Sequence, residues 1–227
     1  MKNLYSAVIQ QIEEDKQMST FFYEILNSAN VYLFGGAVRN YLDNDFGNVR
    51  DLDFVIEFKN VEDTIEKYIG KNIKYKKNQF NGYKFSLKGI CIDMWELKDT
   101  WAFKEGKIQP SVQNLLDSVF LNIDSVVYSM NEQDYVNECN CKYKEIIQNQ
   151  VLDVVMEDNP CVELNLLRAL VLREKYRLIF SDELKRIFHH YEEKSGFFNE
   201  LIQLQNKHYG KQVLSIKSIE KMLDENT

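Results

Sequence analysis

Residues 31–57 read VYLFGGAVRNYLDNDFGNVRDLDFVIE, and the rest of the chain is organised around this stretch. It opens with the apolar run 31–34, turns at Gly35 and Gly36, continues through a segment suited to a short helix, and ends in a second apolar run at 54–56. These features predict a strand, a glycine turn, a short helix, a loop and a second strand.

Two acids, Asp51 and Asp53, begin the second predicted strand. Because residues i and i+2 of a strand point to the same face, their side chains should project side by side, with Cα atoms ~7 Å apart. Adjacent carboxylates repel each other unless a cation lies between them, and Mg²⁺ binds one or two carboxylates together with phosphate oxygens. The pair therefore predicts a magnesium site; the alternative for an isolated Asp-x-Asp is a solvated strand end.

The glycine pair has the properties of a phosphate-binding turn. Gly35 and Gly36 have no Cβ, so the backbone there can approach a triphosphate closely. Their N–H groups and the N-terminus of the following helix would favour an anion, and Arg39 is placed to add a charge-assisted contact. Each feature is weak alone, but the order and spacing of the two together favour a nucleotide site.

The combined pattern resembles the head domain of class II nucleotidyltransferases, the group of bacterial CCA-adding enzymes and poly(A) polymerases within the polymerase-β-like superfamily. The signature of that family is a strand, GGxVRD, a loop, and a basic residue before DxD. This chain has GGAVRN at 35–40 and RDLD at 50–53. It departs from the family at Asn40, where the family usually has an acid.

The resemblance implies a fold and a set of site residues. The implied fold is α+β, a polymerase-β-like head with a mixed sheet flanked by helices and followed by an all-helical neck. The implied division is a nucleotidyltransferase head over residues 1–156 and a helical neck-like domain over 157–227. Two Mg²⁺ ions would be held by Asp51, Asp53 and a third acid, and the nucleotide by Gly35, Gly36, Arg39 and Arg50.

The third acid is predicted at Asp93, within the apolar run 90–95, ICIDMW. A buried carboxylate without a partner is costly, and if this strand lay antiparallel beside the Asp51 strand, Asp93 could join the acid pair. Polymerase-β-like enzymes use a third carboxylate on such a strand, and Asp93 resembles that position. The alternative is an edge-strand acid facing water, with Glu96 as the substitute third carboxylate.

Two later family motifs are only partly kept. The nearest match to the family's RRDFTINA-like motif is DSVFLN at 117–122, which keeps Asn122 but lacks the paired arginines. The base-selecting EDxxR motif aligns with the helix at 161–169, CVELNLLRA, where only Arg168 survives. The resemblance implies nucleotide-binding roles for Asn122 and Arg168, but it weakens CCA addition as the task, because the other motif positions fall on Cys161, Val162 and Asn165.

Composition limits the class of protein. The chain has 227 residues, 44% of them apolar and 28% charged, which suits one large folded domain or two small ones. A net charge of −7 argues against a protein that wraps nucleic acid broadly, although it allows a local basic groove.

Residues 71–88 contain six lysines, no acids and interleaved aromatics. Such a segment can track a nucleic-acid backbone and stack bases. We favour instead a solvated hairpin whose aromatic residues, Tyr75, Phe80, Tyr83 and Phe85, face the core.

The four cysteines follow no recognisable signal peptide, so we expect reduced thiols and a cytoplasmic protein. Cys139 and Cys141 have no second pair or spaced histidines that would complete a zinc site. No run approaches the ~20 apolar residues of a membrane helix.

Apolar spacing predicts the helices outside the central stretch. Early helices are expected at 4–12, at 21–26 with Thr20 as the N-cap, and at 61–69 with Gly70 ending the helix. After Pro160 the pattern becomes helical throughout, with helices at 162–178, from a Ser181 cap to 191, at 197–205 and at 213–223.

The sequence therefore predicts a metal-dependent enzyme that moves an NMP from an NTP to a hydroxyl, releasing pyrophosphate. The resemblance to the family implies ATP as the expected donor and an RNA 3′ end, such as that of tRNA, as the expected acceptor. One alternative is nucleotidylation of a small molecule or a protein hydroxyl. Another is a nucleotide-binding module that has lost turnover. Nothing in the sequence indicates an oligomeric state.

Overall fold

The computed structural model describes residues 3–224, which divide into two compact units. The first unit contains the described residues up to Ser118 together with Asp124–Asn140. The second contains Val119–Ile123 and the described residues from Cys141 onward. The predicted domain boundary after residue 156 stays a prediction.

The first unit is built on a seven-stranded mixed sheet with the order β3-β4-β5-β2-β1-β6-β7. Its strands are β1 (Ala29–Phe34), β2 (Asp51–Phe58), β3 (Lys76–Lys77), β4 (Tyr83–Leu87), β5 (Ile90–Glu96), β6 (Val127–Ser129) and β7 (Asp134–Tyr135). Neighbouring strands are antiparallel, except that β2 and β5 run parallel. The mixed sheet of the predicted α+β fold is confirmed.

Five helices accompany this sheet: α1 (Leu4–Ile12), α2 (Lys16–Ser28), α3 (Gly36–Leu42), α4 (Ile65–Tyr68) and α5 (Trp101–Lys104). The connections contain short 3₁₀ turns at Phe46–Asn48, Leu97–Asp99, Gln113–Asp117 and Val136–Glu138, and Asn122–Asp124 forms another. None of the described helices in either unit is long and apolar enough to cross a membrane.

Side-chain alternation along β2 divides the sheet into two different faces. The even-numbered residues Leu52, Phe54 and Ile56 are fully buried. On this face α2 packs against the sheet, with the Phe22 ring 5.0 Å from the Phe54 ring and the Phe21 ring 5.4 Å from Phe85. The opposite face is therefore the one that carries the acids at the start of β2.

The lysine-rich segment contains the half-buried strand β4. Tyr83, Phe85 and Leu87 are buried, and the residues between them are exposed. Lys88 and Gly89 both have positive φ in the tight turn into β5. The hairpin with core-facing aromatics is confirmed for Tyr83 and Phe85, whereas Tyr75 and Phe80 are exposed and the prediction is wrong for them.

The second unit contains a short parallel pair, β8 (Val151–Leu152) with β9 (Ile179–Phe180), and a series of helices. These are α6 (Cys139–Asn149), which begins in the first unit, α7 (Val162–Tyr176), α8 (Asp182–Glu192), α9 (Phe197–Tyr209) and α10 (Ile216–Asp224). The predicted cap of α8 is confirmed, since Ser181 Oγ accepts the Leu184 N–H at 3.2 Å. The two-residue strand β9 was not predicted.

Two helices of the first unit were predicted with the wrong bounds and caps. Helix α2 begins at Lys16, where the carboxylate of Asp15 accepts two N–H groups of the first turn at 2.9 Å; Thr20 lies inside the helix and donates to the Lys16 carbonyl. Met18 is the single apolar residue of its first turn, so the apolar stripe gives little sign of it.

The helix predicted at 61–69 is reduced to α4. The Asn60 side chain accepts the Glu62 N–H at 3.2 Å and holds the preceding residues in a turn. Ile69, with extended backbone, follows the helix, and Gly70 does not have the positive φ of a glycine cap.

Candidate active site

The pairing of β2 with β5 brings the predicted acids together. Asp53 lies directly opposite Asp93, and Asp51 lies directly opposite Cys91. Directly opposite residues of neighbouring strands share a sheet face, so these four side chains form one group, called here the acidic patch.

The strand direction differs from the sequence prediction. Strand β5 is parallel to β2, and the expected antiparallel arrangement is wrong. The chain leaves β2, crosses to the outer strands and returns through the antiparallel β4–β5 hairpin, so that β5 runs in the direction of β2. Register, and not direction, decides which face a side chain occupies, so Asp93 still lies beside Asp53.

Asp93 is a largely enclosed acid of the patch. Its side chain is 16% exposed, and its Oδ1 is buried without a hydrogen-bond partner among the described residues. Its Oδ2 lies 3.1 Å from Nζ of Lys84, the residue opposite it on β4. Burial, reinforced by the charge of Asp51, raises the pKa of Asp93 against the opposing effect of Lys84. Because its Oδ1 has no hydrogen-bond partner among the described residues, this carboxylate can serve as a cation ligand.

Sequence reasoning missed two neighbours of Asp93. Burial works to lower the pKa of Lys84, but the hydrogen bond and charge of Asp93 outweigh it and raise that pKa. Cys91 Sγ lies 3.9 Å from Asp93 Oδ2, and burial and this carboxylate raise the pKa of the thiol. Cys91 lies two residues before Asp93 in the same strand, so the sequence could have placed it on the same face. Lys84 could be placed beside Asp93 only from the register between β4 and β5.

Glu96, the substitute third acid, lies elsewhere. It is opposite Ile56, three positions beyond the Asp53–Asp93 pair, and therefore on the other sheet face. Its Oε2 lies 2.7 Å from Lys98 Nζ. The register thus places Asp93 and not Glu96 in the acidic patch.

The glycine turn differs in one respect from expectation. Gly35 has φ +65°, which favours glycine, and its N–H donates to the Val126 carbonyl at 2.9 Å. That N–H extends the pairing of β1 with β6, so the prediction that both glycine N–H groups face an anion is wrong for Gly35. A Cβ at Gly36 would lie 3.8 Å from Arg39 Nη2, so the guanidinium borders the turn.

Arg39 forms an ion pair with Asp124, a residue that the sequence did not indicate. The side chains are 11% and 7% exposed, respectively. A guanidinium paired this way is held in a fixed orientation beside Gly36. Arg50 is exposed just before β2, and its carbonyl accepts the Cys91 N–H at 2.8 Å. Phosphate contacts by both arginines stay predictions.

Asn122 lies in the second unit, where its side chain joins backbone segments. Its Nδ2 donates to the Val151 carbonyl at 3.1 Å, and its Oδ1 accepts the Asp153 N–H at 3.1 Å. The backbone N–H of Asn122 also donates to the Asp153 carbonyl at 3.0 Å. These contacts give the residue a structural role; its predicted nucleotide contact remains untested.

The residues that align with the family's base-selecting motif also form local contacts. Asn165 is buried, and its Nδ2 donates to Asn159 Oδ1 at 3.2 Å and to the Pro160 carbonyl at 3.3 Å. Arg168 Nη1 lies 3.4 Å from Asn165 Oδ1. Cys161 is exposed and precedes α7 in a left-handed conformation. The Asn165 amide is thus already used at the start of this helix.

The acidic patch offers carboxylate oxygens, which are the ligands that Mg²⁺ prefers. Over residues 3–224, no group of three or more His, Cys, Asp or Glu side chains is arranged to hold an ion. Mg²⁺ does not need such a cage, because it completes its coordination with water and substrate phosphates. The buried, unpaired Oδ1 of Asp93 beside Asp53 has the chemistry of a ligand for an ion of this kind.

Comparisons with known proteins bear on the fold. No protein-family model matches the chain, and no curated protein matches it. A CCA-adding enzyme in complex with CTP is 18% identical, with a TM-score of 0.63, over 99% of this chain and 55% of that one. The Thermotoga maritima CCA-adding enzyme complexed with tRNA is 19% identical, with a TM-score of 0.62, over 98% of this chain and 54% of that one.

A tRNA-processing enzyme with CTP is 18% identical, with a TM-score of 0.55, over 86% of this chain and 55% of that one. The present chain thus spans about half the length of the structures it matches. It has the fold of these CCA-adding enzymes over nearly all of its own length, as the head-domain motifs predicted.

Proposed function

We propose that this protein is a cytoplasmic, metal-dependent nucleotidyltransferase of the class II type, which transfers an NMP from an NTP to a hydroxyl and releases pyrophosphate. The supporting observation is the β2–β5 register, with Asp53 opposite Asp93 and Asp51 on the same face. The open Oδ1 of Asp93 adds to it, because a buried carboxylate with a free coordination position calls for a cation.

The acidic patch would hold the metal ions in this function. Asp51, Asp53 and Asp93 would bind two Mg²⁺ ions, which when bound stabilise the attacking and leaving oxygens of an in-line displacement. Asp93 would also assist removal of the proton from the acceptor hydroxyl.

The glycine turn and the arginines would hold the triphosphate. Gly36 leaves space for a phosphate next to the Arg39 guanidinium, which its pairing with Asp124 orients. Arg50, exposed beside Asp51, would add a second positive charge. These contacts would orient the α-phosphorus toward the acceptor without forming a covalent bond to the protein.

The donor and acceptor are proposed from the neighbours in fold. Their structures include complexes with ATP, CTP and tRNA. We therefore propose an NTP donor, with ATP first, and an RNA 3′ end, such as that of tRNA, as acceptor. The net charge of −7 favours one alternative, a small-molecule or protein hydroxyl.

The test is to incubate the purified protein with each α-³²P-labelled NTP, Mg²⁺ and total cellular RNA, and to separate RNA, protein and small molecules. Label in RNA that disappears when EDTA replaces Mg²⁺ is the expected result. Label in the protein or small-molecule fraction would reassign the acceptor. Absence of label from all three fractions, with every NTP, would contradict nucleotidyl transfer and favour a binding module.

A further inference from the structure

Lys84 is the cation that contacts the enclosed acid of the patch. Its Nζ lies 3.1 Å from Asp93 Oδ2, and the two residues are directly opposite each other on β4 and β5. Asp93 is opposite Asp53 on its other side, so Lys84, Asp93 and Asp53 form one row across three strands. Lys84 therefore flanks the proposed metal centre at its β4 side.

The two ends of this ion pair differ in exposure. Lys84 has a side chain that is 48% exposed, whereas Asp93 is 16% exposed. The ammonium is a flexible point charge on a four-carbon stem and can move into water without breaking other structure. Asp93 cannot move in this way, because its neighbours on both strands enclose it. Lys84 is thus the displaceable partner.

We propose that Lys84 is the counter-cation of Asp93 in the metal-free protein and gives up this carboxylate when Mg²⁺ binds. In this role Lys84 is a positioning residue: it neutralises Asp93, keeps the carboxylate on the face of the acidic patch, and sets the Mg²⁺ concentration at which the centre fills. The inference rests on the proposed metal-dependent function, since it assigns the acidic patch to Mg²⁺.

The opposing effects of Lys84 give a distinct pattern of expected results. Without metal, Lys84→Met leaves the enclosed Asp93 without its cation, so the midpoint of thermal unfolding should fall by several degrees. With metal, the variant lacks a like charge near the ion, so its half-saturating Mg²⁺ concentration should fall by about tenfold. Lower stability together with tighter metal binding would not follow from a merely structural lysine.

The experiment is a Mg²⁺ titration of the thermal unfolding midpoint at constant ionic strength, with the full chain and no nucleotide. Lys84→Arg retains the charge and should remain close to wild type in both measurements. Asp93→Asn in the Lys84→Met background should remove the gain in Mg²⁺ affinity. The matched control is Lys76→Met, an exposed lysine opposite Lys84 on β3, which changes the same net charge one strand further from Asp93.

Three results would overturn the inference. They are a Lys84→Met titration that coincides with wild type, an equal change in Lys76→Met, and no stabilisation by Mg²⁺ in any variant. The titration involves no transfer reaction, so its outcome is separable from the proposed function. Tighter Mg²⁺ binding by Lys84→Met in a protein that labels no acceptor would support the role of Lys84 and contradict transferase activity. If the protein transfers label but the Mg²⁺ titration of Lys84→Met coincides with that of wild type, only the role of Lys84 is contradicted.

Discussion

Asp124 lies 85 residues from Arg39 in the chain, yet its carboxylate is the buried partner of that guanidinium. Both side chains are almost fully enclosed. When one member of a buried ion pair is removed, the other charge remains desolvated, which costs about 3–5 kcal/mol. The pair therefore links the stability of the first unit to the orientation of the arginine beside Gly36.

We predict that Asp124→Asn lowers the free energy of unfolding by about 3 kcal/mol in urea titrations. We also expect weaker NTP binding, because the amide no longer fixes the guanidinium by charge. Glu105→Gln is the control, since it makes the same change at an exposed carboxylate in the same unit. Equal stability of the two variants would show that the Arg39–Asp124 contact contributes little.

Local spacing explains which site residues could be predicted. Asp51 and Asp53 are two residues apart in one strand, and Gly35 and Gly36 follow another strand directly, so their relation is visible in the sequence. Lys84 and Asp124 could not be found, because each meets its partner across strands or through a long connection. Sequence patterns give the face of a strand but not the identity of the neighbouring strand.

Asn122 joins residues 119–123 to the start of β8. The Asn122 side chain donates to the Val151 carbonyl and accepts the Asp153 N–H. The flanking backbone adds a hydrogen bond from the Val155 N–H to the Phe120 carbonyl at 2.9 Å. This part of the second unit therefore depends on a single amide for two of its connections.

We predict that Asn122→Ala destabilises the protein by about 1–3 kcal/mol, because two partly buried backbone groups lose their partners. Asn149→Ala, at an exposed position in the same unit, should change stability by less than about 0.5 kcal/mol. Urea unfolding provides the measurement. If Asn122→Ala kept wild-type stability and lost only NTP affinity, the nucleotide-binding role implied by the family resemblance would be correct instead.

The elements themselves were predicted to different degrees. Helix α1 and strands β1, β2, β4 and β5 carry clear apolar periodicity and were found close to their observed bounds. The first turn of α2 is polar except for Met18, and the region before α4 is held by a side-chain turn, so periodicity failed at both. The direction of β5 depends on the path through the outer strands, which no local pattern contains.

At the scale of the whole molecule, the chain matches the fold of CCA-adding enzymes but differs at the positions that would select bases. Cys161 and Val162 replace two charged residues of the family motif, and the Asn165 amide bonds to neighbouring residues. A site that hydrogen-bonds a particular base rejects others strongly, because its buried polar groups would remain unpaired. The resemblance therefore implies that residues 161–169 lack this source of selection.

We therefore predict no ordered addition of C, C and A to tRNA. The measurement is to offer tRNA lacking its 3′ CCA, together with CTP and ATP, and to sequence the products. Relaxed NTP use, or a preference set by other residues, is expected. Faithful addition of two C residues followed by one A would show that bases are selected by groups other than those at the motif positions.

Nucleotidyl transfer by the acidic patch is the function that we propose. Its most direct test is the initial rate of label transfer from α-³²P-labelled NTP for wild type, Asp51→Ala and Asp53→Ala, with thermal unfolding measured on the same samples and Glu105→Ala as the control. We expect the rates of both patch variants to fall to background while their folds remain intact and the control keeps its rate. Rates near wild type in both Asp51→Ala and Asp53→Ala would contradict it.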